Sequence, residues 1–389
     1  MFDLRRHGFT NSIISADLKD LSNNLPHWSS IPYSIPKKTE PFKIEYLSKP
    51  ISDISGSLYL PVYEWGNKID EGTYGKIYLC KRKHYIPIDV SGSKVMFHGE
   101  NKETQIVIKV SPITLTPEEL KMPAAVIKKI IVEETDAHIH EAAVLTLAYL
   151  AVNDSIPGSI PQVYEIFCRK HTNGELKSVC IAMEYIRGQT LLHFMRSTFK
   201  KDKTNDYIFL QLVKQLANIL LILQGKLRMN HRDIKINNIL LRETTNQLVL
   251  IDYGFACIAN GIQDPDAEFS KIQAGSYFGS RYACFKLGRD MCQFLYSLHC
   301  YFPFEQYLSD KLFKLVNSWL QVKYKDGVAN LLNGLSEKGA PCSFKRASIE
   351  YNEGIYIFLR REEVDPVQCS PSKILESIEK YYSENNTIK

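Results

Sequence analysis

Asp233, Lys235, Asn238 and Asp252 are the residues whose types and spacing could do chemistry. The first three lie in Asn230-His231-Arg232-Asp233-Ile234-Lys235-Ile236-Asn237-Asn238-Ile239-Leu240-Leu241, which reads as a polar loop running into a short apolar strand. A second apolar strand, Leu248 to Ile251, delivers Asp252 at its end, within Leu250-Ile251-Asp252-Tyr253-Gly254-Phe255. The pattern gathers the four around one cleft. Two carboxylates, an amide oxygen and a lysine suit phosphate chemistry. An Asp can orient a hydroxyl nucleophile and take its proton, a Lys can neutralise a moving phosphoryl group, and Asn and Asp oxygens can hold Mg²⁺.

Several elements must position these groups. Glu64 to Cys80 reads as strand, glycine turn and strand, with Gly72 and Gly75 letting backbone N–H groups approach phosphates closely. Gln105-Ile106-Val107-Ile108-Lys109-Val110 is an apolar strand, and Lys109 stands alone among its β-branched residues. A lysine in a buried strand is costly unless paired. Glu133 to Leu150 has helical periodicity, with an apolar face that includes Ala142, Leu145 and Ala148. Gln162 to Arg169 and Ser178 to Met183 are two further strands, separated by the turn signal Lys170-His171-Thr172-Asn173-Gly174. A long buried helix from about Asn205 to Leu223 supports the polar loop, with Leu212, Leu216 and Leu220 at helical spacing.

The chain has 389 residues and 44% hydrophobic content, enough for two domains or lobes. Net charge is +5 with both signs mixed, too weak to argue for nucleic acid. The 9 cysteines are scattered without a C-x-x-C pair, which reads as reduced thiols in an intracellular protein. No apolar run approaches the roughly 20 residues of a bilayer span, and Met1 to His7 lacks the apolar core of a secretory signal. Residues 1–58 carry Pro26, Pro32, Pro36, Pro41 and Pro50, a density that breaks regular structure. Trp28, Tyr33, Phe42 and Tyr46 are interspersed, so this extension is either a regulatory or docking arm on the folded domain or a poorly ordered tail.

The loop and the following strand closely resemble the catalytic loop and metal motif of eukaryotic-type Ser/Thr protein kinases, H-R-D-x-K-x-x-N followed by D-F-G. Every catalytic-loop position matches, and Tyr253 in place of Phe is the one change in the second motif. The resemblance runs from about Tyr63 to Tyr382. It implies an α+β bilobal fold: an antiparallel five-stranded N-lobe with a helix C over 59–185, and a mostly helical C-lobe over 186–385, with ATP in the cleft between. It further implies transfer of the γ-phosphoryl of Mg·ATP, with Mn²⁺ as a possible substitute, to Ser or Thr of a protein substrate. Asp233 is then the base, Lys235 steadies the phosphate, and Lys109 grips the α/β-phosphates, held by Glu141, with Glu134 as the alternative partner. Asn238 and Asp252 bind the metal. Ile69, Gly72, Tyr74, Gly75 and Ile77 of the glycine-rich loop, gatekeeper Met183, and hinge residues Glu184 and Ile186 surround the nucleotide.

The departures are informative. Asp70 occupies the first glycine position of the phosphate loop, where negative charge is unhelpful. The segment Lys81 to Thr104 is long and reads as a protruding insertion. The loop Ala259 to Gly279 and its neighbour Ser280 correspond to the activation segment, with Ser270, Ser276, Tyr277 and Ser280 as hydroxyls that could carry a phosphate facing Arg232. No Ala-Pro-Glu motif closes it, and Cys369 sits where the matching arginine would be, so both halves of that salt bridge are absent together. Asp290 matches the buried aspartate that ties down the catalytic loop. Kinases encoded by large DNA viruses show similar drift, and such an origin, with the host cell or virion as location, fits the insertions. Two rival readings stand beside the kinase: a nucleotide-binding interaction protein of weak activity, favoured by Asp70, and a kinase-fold phosphotransferase for a small molecule, favoured by the weak activation segment.

Overall fold

The computed structural model describes residues 31–33, 43–46, 51–52, 58–72, 75–87, 104–170, 176–258, 285–324, 327–330, 335–336 and 364–386. These divide into two compact units. One holds the described residues up to Thr146 together with Pro161–Tyr185; the other holds Leu147–Ile160 and the described residues from Ile186 onward.

The first unit is built on one antiparallel sheet. Its strands are β1 (Ile31–Tyr33), β2 (Lys43–Tyr46), β3 (Ile51–Ser52), β4 (Leu58–Gly72), β5 (Gly75–Pro87) and β6 (Thr104–Pro112), then, after helix α1 (Ala124–Asn153), β7 (Val163–Lys170) and β8 (Leu176–Glu184). The order across the sheet is β1-β2-β7-β8-β6-β5-β4-β3. The sheet therefore has eight strands, not the expected five. The extra three come from the N-terminal extension, whose short proline-spaced pieces carry no alternating pattern. Pro32 is tolerated because β1 is an edge, and Pro61 because β4 changes register between Leu60 and Val62. Strand β5 runs to Pro87, so the first part of the expected insertion is strand.

Alternation along the strands decides what each face does. On β6, Ile106, Ile108 and Val110 point into a core with Tyr63, Cys80, Phe167, Cys180 and Ala182. Lys109 therefore points the other way. The helix α1 begins at Ala124, nine residues before the periodic stripe, because Pro123 caps it: its carbonyl accepts from Val126 N–H at 2.8 Å and Ile127 N–H at 3.1 Å. The added turns, Ala124 to Val132, are apolar on several sides, so no stripe announced them.

The second unit is helical around a small sheet set. Its elements are β9 (Gly188–Thr190), α2 (Leu191–Thr198), α3 (Asp206–Leu227), β10 (Met229–Asn230), β11 (Ile239–Arg242), β12 (Leu248–Leu250), β13 (Cys257–Ile258), α4 (Arg289–Tyr301), α5 (Phe304–Tyr307), α6 (Asp310–Trp319), β14 (Gln321–Tyr324), β15 (Gly327–Asn330), β16 (Leu335–Ser336), β17 (Val364–Asp365) and α7 (Pro371–Asn386). The four-stranded sheet β16-β15-β14-β17 adds strand structure to a region expected to be mostly helical. Helix α3 is 22 residues long and apolar enough by length and composition to cross a membrane, a run that the sequence reading did not recognise. Its apolar side chains, Phe209, Leu212, Leu216, Leu220 and Leu223 among them, are buried inside this unit, as in the core helix of a folded domain. Gly188 lets β9 lie against β11, since a Cβ there would stand 1.9 Å from the Leu241 carbonyl oxygen.

Candidate active site

Strands β10 and β11 carry the polar loop between them, and one buried carboxylate fixes its start. Asp290, fully buried in the first turn of α4, accepts through Oδ2 from Asn230 Nδ2 at 3.1 Å and from His231 N–H at 2.9 Å, and through Oδ1 from Arg232 N–H at 3.0 Å. Two more residues of α4 hold the same loop. Gln293 Nε2 donates to the Arg232 carbonyl at 3.1 Å, and Ser297 Oγ accepts from Ile236 N–H at 3.1 Å. Asp290, Gln293 and Ser297 stand at i, i+3 and i+7, one face of the helix. Asn230 ties in the chain before α4 as well, donating to the Lys286 carbonyl at 3.1 Å and accepting from Lys286 N–H at 2.7 Å. Sequence reading found Asp290 but missed the anchoring by Asn230, Gln293 and Ser297; for the last two the available signal was a polar stripe on an otherwise apolar helix.

The loop is held in an unusual backbone shape. Arg232 has φ 68° and Asp252 φ 65°, the left-handed region that costs a non-glycine residue of order 1 kcal/mol or more. His231 locks the turn. Its Nδ1 accepts from Asp233 N–H at 3.4 Å, and its Nε2 meets the Ile251 carbonyl at 3.1 Å, so the proton belongs on Nε2. Burial holds this imidazole below its ordinary pKa, against the pull of Asp290, Asp233 and Asp252.

Three of the expected residues meet on one carboxylate. Asp233, 7% exposed, accepts at Oδ2 from Lys235 Nζ at 3.0 Å and from Asn238 Nδ2 at 2.9 Å, and Asn238 Nδ2 also reaches the Asp233 carbonyl at 2.9 Å. With Nδ2 so engaged, Oδ1 is the end of Asn238 that could meet a cation. Burial pushes the Asp233 carboxyl above the usual carboxylate range; Lys235 pulls it down and nearby Asp252 pushes it up. That cluster has a part-buried lysine at its mouth, an ionisable carboxylate within, and a second carboxylate close enough to be felt. It can take a proton from a hydroxyl and hold negative oxygens or a hard cation.

Tyr253, which follows Asp252, is fully buried, and its ring lies 4.5 Å from the His231 ring between centroids. A buried phenol hydroxyl needs a hydrogen-bond partner. Among the described residues it has none, and burial, helped by Asp290, raises its pKa well above that of a free phenol.

In the first unit, Lys109 Nζ donates to Glu141 Oε1 at 2.6 Å, both side chains buried. Glu141, not Glu134, is therefore the partner of Lys109. Glu134 lies one face earlier, its carboxyl raised by burial and by Glu119. His138, one turn before Glu141, was missed; burial and the Lys109 charge push it down to about 4, so it is neutral at ordinary pH. Gly72 is exposed, with no described atom within 4 Å of an added Cβ, whereas a Cβ on Gly75 would stand 2.8 Å from the Val110 carbonyl oxygen. Gly75 thus serves the β5–β6 contact, and of the two only Gly72 has no described atom beside it. Ile69 is exposed and Ile77 half-buried; Tyr74 lies outside the described residues. Asp70 is exposed and its Oδ1 accepts from Glu71 N–H at 2.8 Å. Met183 and Glu184 close β8 half-buried, and Ile186 is buried at the start of the second unit. The Glu184 N–H donates to the Gln162 carbonyl at 2.8 Å, so that N–H is not a group adenine would meet.

The hydroxyls Ser270, Ser276, Tyr277 and Ser280 lie outside the described residues. Cys369 is described: it is fully buried, and its Sγ donates to the Trp319 carbonyl at 2.9 Å. A buried thiol thus stands at the position that the resemblance gives to an arginine.

Comparison with known proteins agrees with this geometry. The protein kinase domain family matches residues 63–277. The EKC/KEOPS complex subunit bud32 of Dictyostelium discoideum is 33% identical over 84 residues, 22% of this chain and 32% of that protein. A probable serine/threonine-protein kinase of the same organism is 30% identical over 131 residues, 31% of this chain and 8% of that protein. The chain thus spans at most a third of the length of these relatives.

Proposed function

The chain belongs to the protein kinase domain family, and from that premise we propose that it transfers the γ-phosphoryl group of Mg·ATP to Ser or Thr hydroxyls of protein substrates. The observation that carries this reading is the convergence of Lys235 and Asn238 on the buried Asp233 carboxylate, at 3.0 and 2.9 Å. A structural role alone would leave no reason to bury an acid beside a second carboxylate on a strained loop.

The residues fit the nucleotide and its metal. Lys109, oriented by Glu141, is a buried cation available to phosphate oxygens. Asp252 and Asn238 Oδ1 are hard oxygen donors suited to Mg²⁺, and no described atom lies within 4 Å of a Cβ added at Gly72. When bound, Mg·ATP supplies the phosphoryl group and a divalent charge that offsets the charge built up in transfer. Asp233 orients the acceptor hydroxyl and takes its proton. Lys235, already within hydrogen-bond reach of Asp233, donates to oxygens that gain charge. The lysine two residues after Asp233 supports Ser/Thr over Tyr as acceptor, and the match to a probable serine/threonine-protein kinase points the same way. The described cysteines are all free thiols, which supports an intracellular place of action.

A second reading is favoured by the match to a complex subunit and by Asp70: a nucleotide-binding member of a larger assembly with little turnover. Phosphoamino-acid analysis of a panel of Ser-, Thr- and Tyr-containing acceptors tests the specificity. Phosphoserine or phosphothreonine is expected; phosphotyrosine alone would overturn the specificity, and bound nucleotide with no phosphoamino acid would favour the second reading.

A further inference from the structure

Eight large apolar side chains are exposed among the described residues, and four of them, Leu120, Met122, Val126 and Val132, fall within one short stretch of chain. Single exposed apolar residues need no account, but a cluster does. Leu120 is 61% exposed and Val132 49%. Between Leu120 and Val132 stand three exposed lysines, Lys121, Lys128 and Lys129, and no acid, although Glu118, Glu119, Glu133 and Glu134 bound the stretch.

The backbone under this cluster is tied down. Thr116 Oγ1 accepts from Glu119 N–H at 3.2 Å while Glu119 Oε2 accepts from Thr116 N–H at 2.7 Å, a reciprocal cap on the 3-10 turn Glu119–Lys121. The N–H groups of Lys121 and Met122 donate to the Glu118 and Glu119 carbonyls at 3.1 and 3.0 Å, so Leu120 and Met122 are held on an ordered turn. The same cap turns the Glu119 carboxylate back toward Thr116. After Pro123, α1 turns Ile127, Ile130, Ile131 and Glu134 inward, half-buried at i, i+3, i+4 and i+7. Ala125, Lys128, Lys129 and Val132 take the opposite face at the same spacing, and all four are exposed.

We propose that Leu120 to Val132 is a docking surface for an acidic amphipathic helix of a partner protein, whose Leu, Ile or Phe side chains cover Leu120, Met122, Val126 and Val132 while its carboxylates meet the three lysines. Charge selects the occupant. A stretch with three cations and no anion attracts carboxylates and repels its own image: in a symmetric pair of copies the patch would face itself, lysine against lysine. Backbone geometry selects a helix over a strand. A helix face has no unpaired N–H or C=O groups for a strand to join, whereas rows at i, i+3 and i+4 form the ridges and grooves into which a second helix packs. Trp, Tyr and Phe are absent from the stretch, unlike helices that lie in a membrane surface. The surface is separate from the phosphoryl-transfer residues and does not rest on that activity.

A display library of random helical peptides, panned on the full chain, tests this. Enriched peptides, synthesised and titrated by fluorescence anisotropy, should interleave Asp or Glu with Leu, Ile or Phe at helical spacing and bind less tightly as salt rises. They should also slow hydrogen exchange between Leu120 and Val132. Leu120→Ser with Val132→Ser removes apolar cover, and Lys121→Glu with Lys128→Glu reverses charge. Both variants change only exposed side chains, so unfolding midpoints should stay at the wild-type value while each weakens peptide binding about tenfold or more. Enrichment of nothing, or of peptides that bind both variants as they bind wild type, would overturn the proposal. So would retention on vesicles containing phosphatidylserine, or a dimer in sedimentation, that these variants abolish; those results give the surface to a membrane or to a second copy. None of these readouts depends on catalysis.

Discussion

Replacing Tyr253 with Phe should make this protein more stable. The Tyr253 ring is fully buried against His231, and its hydroxyl has no partner among the described residues. Burying a hydroxyl without a hydrogen bond costs about 1–3 kcal/mol. Phe keeps the ring, its volume and its contact with His231, and removes only the stranded oxygen. The second unit should therefore gain about 1–2 kcal/mol, a rise of several degrees in its unfolding midpoint at roughly 2–4 °C per kcal/mol. Two units preclude a single two-state fit, so the assay is calorimetry with the transitions separated, supported by hydrogen exchange in α3, which sits in the same unit. A loss of 1 kcal/mol or more on Tyr253→Phe would refute the reasoning. It would mean that the hydroxyl is satisfied by a buried water or by residues beyond those described.

Lys109→Met removes the ammonium that faces the buried Glu141 carboxylate, a cost of up to about 3–5 kcal/mol, and should lower both the midpoint of the first unit and the affinity for Mg·ATP; restoration of the midpoint by adding Glu141→Leu would separate packing from binding in a thermal-shift titration. Asp290→Ala strands three donors on Asn230, His231 and Arg232, so at least about 3 kcal/mol of stability should be lost, with activity falling as the loop loosens; near-normal stability by urea unfolding would contradict the anchor. The pH profile of kcat/KM carries a third sign. Asp233 must be ionised to accept a proton and its carboxyl is raised by burial, so activity falls away on acidification at a higher pH than a free Asp would give. Lys235 pulls that carboxyl down, so Lys235→Ala moves the acidic limb higher still; a limb that stays put or moves lower would rule out Asp233 as the titrating base.

Much of the candidate site was legible because it rests on short, ordered spacings. Asp233, Lys235 and Asn238 share one loop, and local backbone geometry alone brings them together. Lys109 and Glu141 were legible for another reason: a lone lysine in an apolar strand demands a partner, and a nearby helix offers two. What stayed hidden depends on packing. The three N-terminal strands are two to four residues long and owe their form to the edges they pair with, not to any pattern of their own. The early turns of α1 are apolar without a stripe, so periodicity was blind to them. Gln293 and Ser297 looked like ordinary helix residues until the loop they hold was in view. Cys369, read as standing where the resemblance places an arginine, is fully buried with its Sγ donating to the Trp319 carbonyl, a packing role that its spacing did not announce.

The most direct test of the central claim compares wild type with Asp233→Asn for transfer of labelled phosphate from Mg·ATP to Ser/Thr-rich acceptors, with nucleotide binding measured in parallel. Removing a positioned base should cost about 10²–10⁴-fold in rate while Mg·ATP binding stays within a few fold. Transfer at the wild-type rate by Asp233→Asn would contradict the account.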